Sequence, residues 1–248
     1  MKTNPKKYLH KSILVIVVFL SVFRALTSAT GTENEKIILD HADTLRTKGF
    51  VRHMLGNVQL HKENQTLNAD RVLYDVNYGM VNLSGHVVIT EPDQVLTSRR
   101  ITYYEQSGDY ESAGNVEFLK ADSVKINCNF ANFSSMDSLL RLFGDVRIEN
   151  LRNGAIIKGD NGIWNDQEKK AFITGNPAYL LPDDDSTSTD TLVIKSLTIE
   201  YFHRDNSALF IGDVDLQKGD LLAISDSLFH QPDSGQTSLT GAPVIWQS

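Results

Sequence analysis

The 248-residue chain has one cysteine, Cys128, so no internal disulfide can form. A lone thiol inside an alternating apolar stretch is expected to be a small buried side chain. Positive charge is also short: 24 Lys and Arg face 31 Asp and Glu, a formal net charge of −7. That balance argues against nucleic acid, whose binding rests on neutralising phosphates. The seven histidines offer no His-Glu-x-x-His, no His-x-His and no pairing with the cysteine. Gly-x-Ser-x-Gly and phosphate-loop patterns are missing as well. No catalytic residue, metal or cofactor is therefore assigned, and the chain is expected not to be an enzyme. Beyond the N-terminal segment no stretch carries a 3.6-residue apolar stripe, which leaves little room for helices.

What is present begins with Lys2, Lys6, Lys7 and Lys11, followed by an apolar run from Ile13 to Leu20 that extends to Phe23. Thr27-Ser28-Ala29 supplies small residues for a signal peptidase. This is a secretory signal over residues 1–29, cleaved near Ala29. The run is short against the roughly 20 apolar residues of a membrane-spanning helix. Arg24 leaves an uncleaved anchor as the alternative. No cysteine stands near the cleavage point to take a lipid. Removing residues 1–29 deletes five basic and no acidic side chains and moves the net charge from −7 to −12.

The remaining chain, 30–248, is organised by a repeated glycine. Gly56 and Gly114 open Gly-Asn-Val, Gly85 opens Gly-His-Val, and Gly144 and Gly212 open Gly-Asp-Val. Gly175 opens Gly-Asn-Pro and Gly241 opens Gly-Ala-Pro. Successive steps are 29, 29, 30, 31, 37 and 29 residues. A near-constant period of this size denotes a repeat architecture, and one continuous body, since a single unit cannot bury its own apolar face. Around each glycine, apolar residues alternate with period two, the pattern of a half-buried strand; the glycine itself marks a bend or a close backbone approach.

About a dozen residues after each glycine comes a second stretch, such as Leu67-Asn68-Ala69-Asp70-Arg71-Val72-Leu73-Tyr74. Leu67 and Ala69 share one parity, Val72 and Tyr74 the other, so the strand must contain a bulge or corner. A small residue (Ala69, Ser98, Cys128, Gly159, Ser196, Ser225) fits the inside of that bend. The polar corner residues Asp70, Asn129, Asp160 and Asp226 are expected to hydrogen-bond their own backbone. His86 and His230 fall at repeat positions, replacing a neighbour's Asn or aromatic residue. With two strands per repeat, roughly fourteen strands form an elongated all-β body.

Relative to each glycine, the position two before is apolar at Leu83, Leu142, Ile173 and Phe210; two after, at Val58, Val87, Val116 and Val146; four after, at Leu60, Ile89, Phe118 and Ile148. These twelve residues form a continuous apolar stripe, the candidate lining of a lipid groove. It is either an open groove or a closed dry core; periodicity does not separate the two. The 37-residue step contains an acidic insertion loop at 182–190, a solvated loop without the ligand spacing and glycine of a calcium loop. Arg99-Arg100 and Lys169-Lys170 are the only adjacent basic pairs after residue 29, and either reads as a solvated face or as a contact for an anionic sugar or phosphate.

The alternation of Gly-Asn-Val or Gly-Asp-Val strands with Ala-Asp-x-Val-x-Tyr strands, behind a secretory signal, resembles the OstA/LptA family of lipopolysaccharide-transport proteins. The resemblance covers roughly residues 37–246, with Gly175-Asn176-Pro177 and Gly241-Ala242-Pro243 as the family's Gly-x-Pro variant. It implies a β-taco, or β-jellyroll, in the periplasm, with lipopolysaccharide acyl chains in an apolar cleft. It also implies end-to-end partners, either further copies or LptC-like and LptD-like proteins with the same domain, in a bridge towards the outer membrane. The added length and the acidic insertion leave its role within such a bridge open. The alternative is a non-enzymatic, self-assembling β-solenoid scaffold of the envelope.

Overall fold

The computed structural model describes residues 37–62, 64–120, 123–182 and 190–247. The signal-type segment 1–29 and residues 183–189 of the acidic insertion lie outside the described residues. Apart from one 3₁₀ turn, Pro232–Ser234, every regular element among them is a strand, and all belong to one sheet.

The sheet starts with β1 (Ile38–His41) and β2 (Thr44–Lys48), both paired with β3 (Val51–Lys62). It continues antiparallel through β4 (Gln65–Asp75), β5 (Met80–Glu91), β6 (Gln94–Tyr104), β7 (Tyr110–Lys120), β8 (Val124–Ser134), β9 (Leu139–Asn150) and β10 (Ile156–Asn165). The next two crossings are each split, into β11 (Lys170–Thr174) with β12 (Ala178–Pro182) and β13 (Thr191–Lys195) with β14 (Thr198–Phe202). β15 (Ser207–Lys218) and β16 (Leu221–Gln231) are whole again, and β17 (Gln236–Thr240) with β18 (Val244–Gln247) closes the series. Four of the crossings are split among eighteen strands, leaving fourteen kinked crossings, as the repeat predicts. Pro177 and Pro243 lie in two of the gaps, where a residue without an N–H cannot continue the ladder.

The kink is a β-bulge placed at the repeated glycine. Between β4 and β5 the register runs Arg71↔Ser84 and then Asn68↔Val88, so the glycine strand carries one residue more than its neighbour. Gly85 and His86 both take positive φ, 74° and 43°, and the same pair of left-handed residues recurs at all seven repeat glycines. This accounts for the Gly-Asn and Gly-Asp dipeptides, since Asn and Asp tolerate that region better than other side chains. Gly85 is also needed for space: a Cβ there would lie 2.2 Å from Asp70 Oδ2 and 2.8 Å from Asp70 Cβ.

Two of the four corner residues correct an expectation: the Asp70 and Asn129 side chains reach across the bulge to the residue after the glycine rather than to their own backbone, and Asp43 in the partial unit does the same. Asp70 is hydrogen-bonded to His86 at 2.9 Å, Asn129 donates to Asp145 at 2.8 Å, and Asn57 donates to Asp43 at 3.3 Å. The small residues do line the inside of the bend, and Ala69, Ser98, Cys128, Ser196 and Ser225 are all buried. His86 takes the Asn position as expected, and buried His230 takes the aromatic one, edge-on to Tyr179.

Candidate functional site

Because every crossing bends at its middle, both halves turn their apolar parity inward. On one side of the bend Met54, Val72, Leu83, Ile101, Ser112, Ala131 and Leu142 are successive register partners, and the row goes on through Ile173, Ile199 and Phe210. On the other side Leu39, Leu60, Leu67, Ile89, Leu96, Phe118, Ile126, Ile148 and Ile157 do the same, and the row continues to Ile245 at the far end. Val58, Val87, Val116 and Val146 pack beside the bend against the small residues Ala69, Ser98, Cys128 and Gly159.

The twelve stripe residues are thus brought into one interior. All are buried, from Leu142, Ile173 and Phe210 at 0% exposure to Phe118 at 8%. They pack against one another in one cluster. At roughly 1.5–3 kcal/mol for each fully buried large apolar side chain, this interior is the principal stabilising feature of the fold.

The two lips of the folded sheet differ in chemistry, and this the sequence reading missed. One lip presents Lys62, Gln65, Glu91, Gln94, Lys120 and Asn150 along the hairpin ends of β3 to β9. The other presents the ring positions Tyr74, Tyr103, Tyr110, Phe133 and Trp164. The signal for the second was visible as the aromatic that ends each Ala-Asp stretch. The first has no sequence signal, because its polar residues look like ordinary turn-flanking positions.

The lips meet in a polar seam. Lys120 Nζ donates to Asp166 Oδ1 at 2.6 Å, and Lys169 Nζ lies 2.9 Å from the same atom. Trp164 Nε1 also points at Asp166, at 3.4 Å. Burial would raise the Asp166 carboxyl, but the two ammoniums outweigh it and hold it below its ordinary value. Further along, Asn150 Nδ2 donates to the Tyr201 hydroxyl at 2.8 Å, and Asn153 donates to Asn206 at 3.0 Å. Towards the other end the buried Lys62 ammonium sits 5.9 Å over the Tyr103 ring. Glu91, accepting from Gln94 at 2.8 Å and Gln65 at 2.9 Å, is pushed up to about 7, chiefly by burial and further by Asp93, against the lowering effect of the two amides.

Free space within the interior lies at the seam and at the N-terminal end. A cavity of about 50 Å³ lies under the Lys120–Asp166 contact, walled by Tyr110, Phe118, Ile126, Phe133 and Trp164. A larger one, about 240 Å³, opens at the N-terminal end between Leu39, Leu45, Met54, Leu60 and Tyr74. There the interior rows reach solvent, with Leu45 52% exposed; at the opposite end Ile245 is 59% exposed. Among the described residues no group of His, Cys, Asp and Glu is placed to hold a metal ion.

Residues 29–109 match the family model described as LptA/(LptD N-terminal domain) LPS transport protein, so the chain carries an LptA/LptD_N-type domain there. This bears out the OstA/LptA resemblance carried by the repeat. No curated protein matches the chain significantly. Among solved structures, the crystal structure of LptH, the LptA-homologous periplasmic component of the lipopolysaccharide transport device of Pseudomonas aeruginosa, aligns at 14% identity over 74% of this chain and 94% of that one, with a TM-score of 0.30.

Proposed function

We propose that this chain, with its LptA/LptD_N-type domain, is a periplasmic lipopolysaccharide carrier and bridge component that holds acyl chains in its interior and passes the lipid towards the outer membrane. The observation that carries this reading is the pair of rows, apolar but for Ser112 and Gly162, that run from β1 and β2 to β17 and β18 and, among the described residues, reach solvent at both ends. Acyl chains need no charge recognition: each buried CH₂ contributes about 0.8 kcal/mol. The twelve stripe residues line the path, the 240 Å³ mouth beside Leu45 receives a chain end, and the seam is the line along which the lips part. The saccharide stays in water outside the seam. The reading is non-enzymatic and needs no cofactor.

The same ends serve assembly. Among the described residues β1 and β2 pair only with β3, and β17 and β18 only with β16, so both ends of the described sheet offer strand edges to another chain. LptC-like and LptD-like domains, or further copies of this chain, would continue the interior rows across such a junction.

The closely packed interior favours a second reading, a scaffold with a dry core. A photo-crosslinking residue placed in turn at Phe118 and at Leu119 separates the two. Phe118 points inward at 8% exposure and its neighbour points outward at 38%. The carrier predicts a lipopolysaccharide adduct from position 118 and none from 119. Adducts at neither position, with end-to-end filaments still forming, would establish the scaffold instead.

A further inference from the structure

Outside the interior, the bend itself builds a hollow on the solvent face. It has a volume of about 810 Å³ and is lined by Arg71, Ser84, Thr97, Arg99, Arg100 and Asn115. Arg71, Ser84 and Arg100 are successive register partners on β4, β5 and β6. Two strand spacings put the two arginine backbones about 10 Å apart on one outward row, within reach of a shared anion for side chains of that length. All three arginines are exposed, and among the described residues none has a carboxylate partner. Asp70 also lines the hollow, hydrogen-bonded to His86 at 2.9 Å, and Glu111 lines an adjoining hollow that Arg71, Ser84 and Arg100 share.

The repeat shows that this is a departure from the rule of the fold. The corner position is Asp43, Asp70, Asn129, Asp160 and Asp226 in five units and Leu197 in a sixth; only in the third is it a cation, Arg99. Leu197 shows that an apolar stem also covers the bulge glycine, so the corner does not need a charged head. The Arg99 stem lies over Gly114 in the same way, with its Cβ, Cγ and Cδ 3.0–3.2 Å from where a Cβ on that glycine would be. That leaves the guanidinium to solvent beside Arg100. Positions that break a local rule without structural gain are where function is expected. In an acidic chain, three unpaired guanidiniums in one concavity are matched to an anion with several acceptor oxygens. Ser84, Thr97 and Asn115 add neutral donors and acceptors suited to sugar hydroxyls.

We infer that this outer hollow is a binding site for a phosphorylated saccharide, separate from the interior and independent of whether the interior takes acyl chains. The test uses the exported chain without residues 1–29 and three probes: inorganic phosphate, glucose 1,6-bisphosphate, and vesicles of phosphatidylglycerol. Titration is followed by amide chemical shifts. Glucose 1,6-bisphosphate is expected to bind saturably, at least tenfold tighter than phosphate, with shifts centred on residues 84–86 and 97–100. The double variant Arg71→Gln/Arg100→Gln should weaken it at least tenfold, and Arg204→Gln, on the turn after β14, should leave it unchanged. All three residues are exposed, so the variants should keep the parent melting temperature. No saturable binding, unchanged affinity in the double variant, an equal loss in Arg204→Gln, or binding to vesicles alone would each overturn the assignment.

Discussion

Asp166→Asn is the substitution that separates the seam from the core. The Asp166 carboxylate is the one acceptor shared by Lys120 at 2.6 Å and Lys169 at 2.9 Å, on side chains 22–26% exposed. An amide retains the shape and one acceptor but removes the charge, leaving two neighbouring ammoniums to repel across the lips. Hydrogen bonds to charged groups contribute about 1.5–3 kcal/mol each, and partial exposure places this site at the low end, so a loss of roughly 2 kcal/mol is expected. For a chain of this size that is about 4–8 °C in melting temperature. The interior rows do not touch this carboxylate, so the core should stay intact while the lips part more readily. Stopped-flow uptake of an apolar naphthylamine probe should accordingly be several times faster in the variant, with a similar fluorescence end point. Lys120→Met, which removes charge from the other lip and adds apolar cover, should give the same acceleration with a smaller stability loss. A variant that melts lower but takes up probe at the parent rate would refute the view that the seam controls access.

Two further outcomes follow from the same geometry. Glu91 titrates near 7 in the folded chain against about 4.5 unfolded, so the folded state binds more protons in that window and the contribution is lost as pH rises through it; partial solvent contact limits the effect to roughly 1–2 kcal/mol. Half-buried His203 and buried His230, both shifted down mainly by burial, act with the opposite sign below pH 6.5, so the check is the melting temperature of the parent minus that of Glu91→Gln, which should fall between pH 5 and pH 8. At the bends, Gly85→Ala drives a Cβ to within 2.8 Å of the Asp70 Cβ, whereas Gly49→Ala, also at positive φ, meets nothing within 4 Å. Chemical denaturation should therefore show about 1–2 kcal/mol for Gly49→Ala, the left-handed penalty alone, and clearly more for Gly85→Ala.

The fold was legible in the sequence because its signal is repeated. Period-two columns around seven glycines, with a parity change at Ala69-Asp70 and its relatives, define both the strands and the bend before any coordinates. The twelve stripe residues were legible for the same reason, and each points inward. Three things were not. The Asp43, Asp70 and Asn129 side chains bond across the bulge to Asn57, His86 and Asp145, and one strand's sequence does not contain its neighbour's register. The polar lip was invisible, because Lys62, Gln65, Glu91 and Lys120 flank turns, where charged residues are ordinary; only the closing of one lip on the other gives them partners such as Asp166, 46 residues away from Lys120. And the choice between a trough and a dry core depends on volume, which periodicity does not encode.

That choice turns on a comparison of energies rather than on whether the empty chain is shut. Parting the lips near the middle breaks the Lys120–Asp166 contact and the Asn150–Tyr201 bond, together about 2–4 kcal/mol at ordinary values for charged and neutral hydrogen bonds. Moving one twelve-carbon chain from water into the apolar rows returns about 9 kcal/mol at 0.8 kcal/mol per CH₂. A ligand shifts a two-state equilibrium by its difference in affinity for the two states, so one such chain is enough to favour the open form over the empty closed one, and a multi-chain lipid has a wide margin. A chain of one or two carbons, worth about 1–2 kcal/mol, falls below the threshold. An interior that shuts when vacant is therefore what a carrier of long acyl chains requires in an aqueous compartment: open rows would expose a continuous apolar surface and aggregate. On the carrier reading the aromatic lip would serve the same end: rings such as Tyr103 and Trp164 cover the rows when closed and would present an apolar edge to a guest when parted.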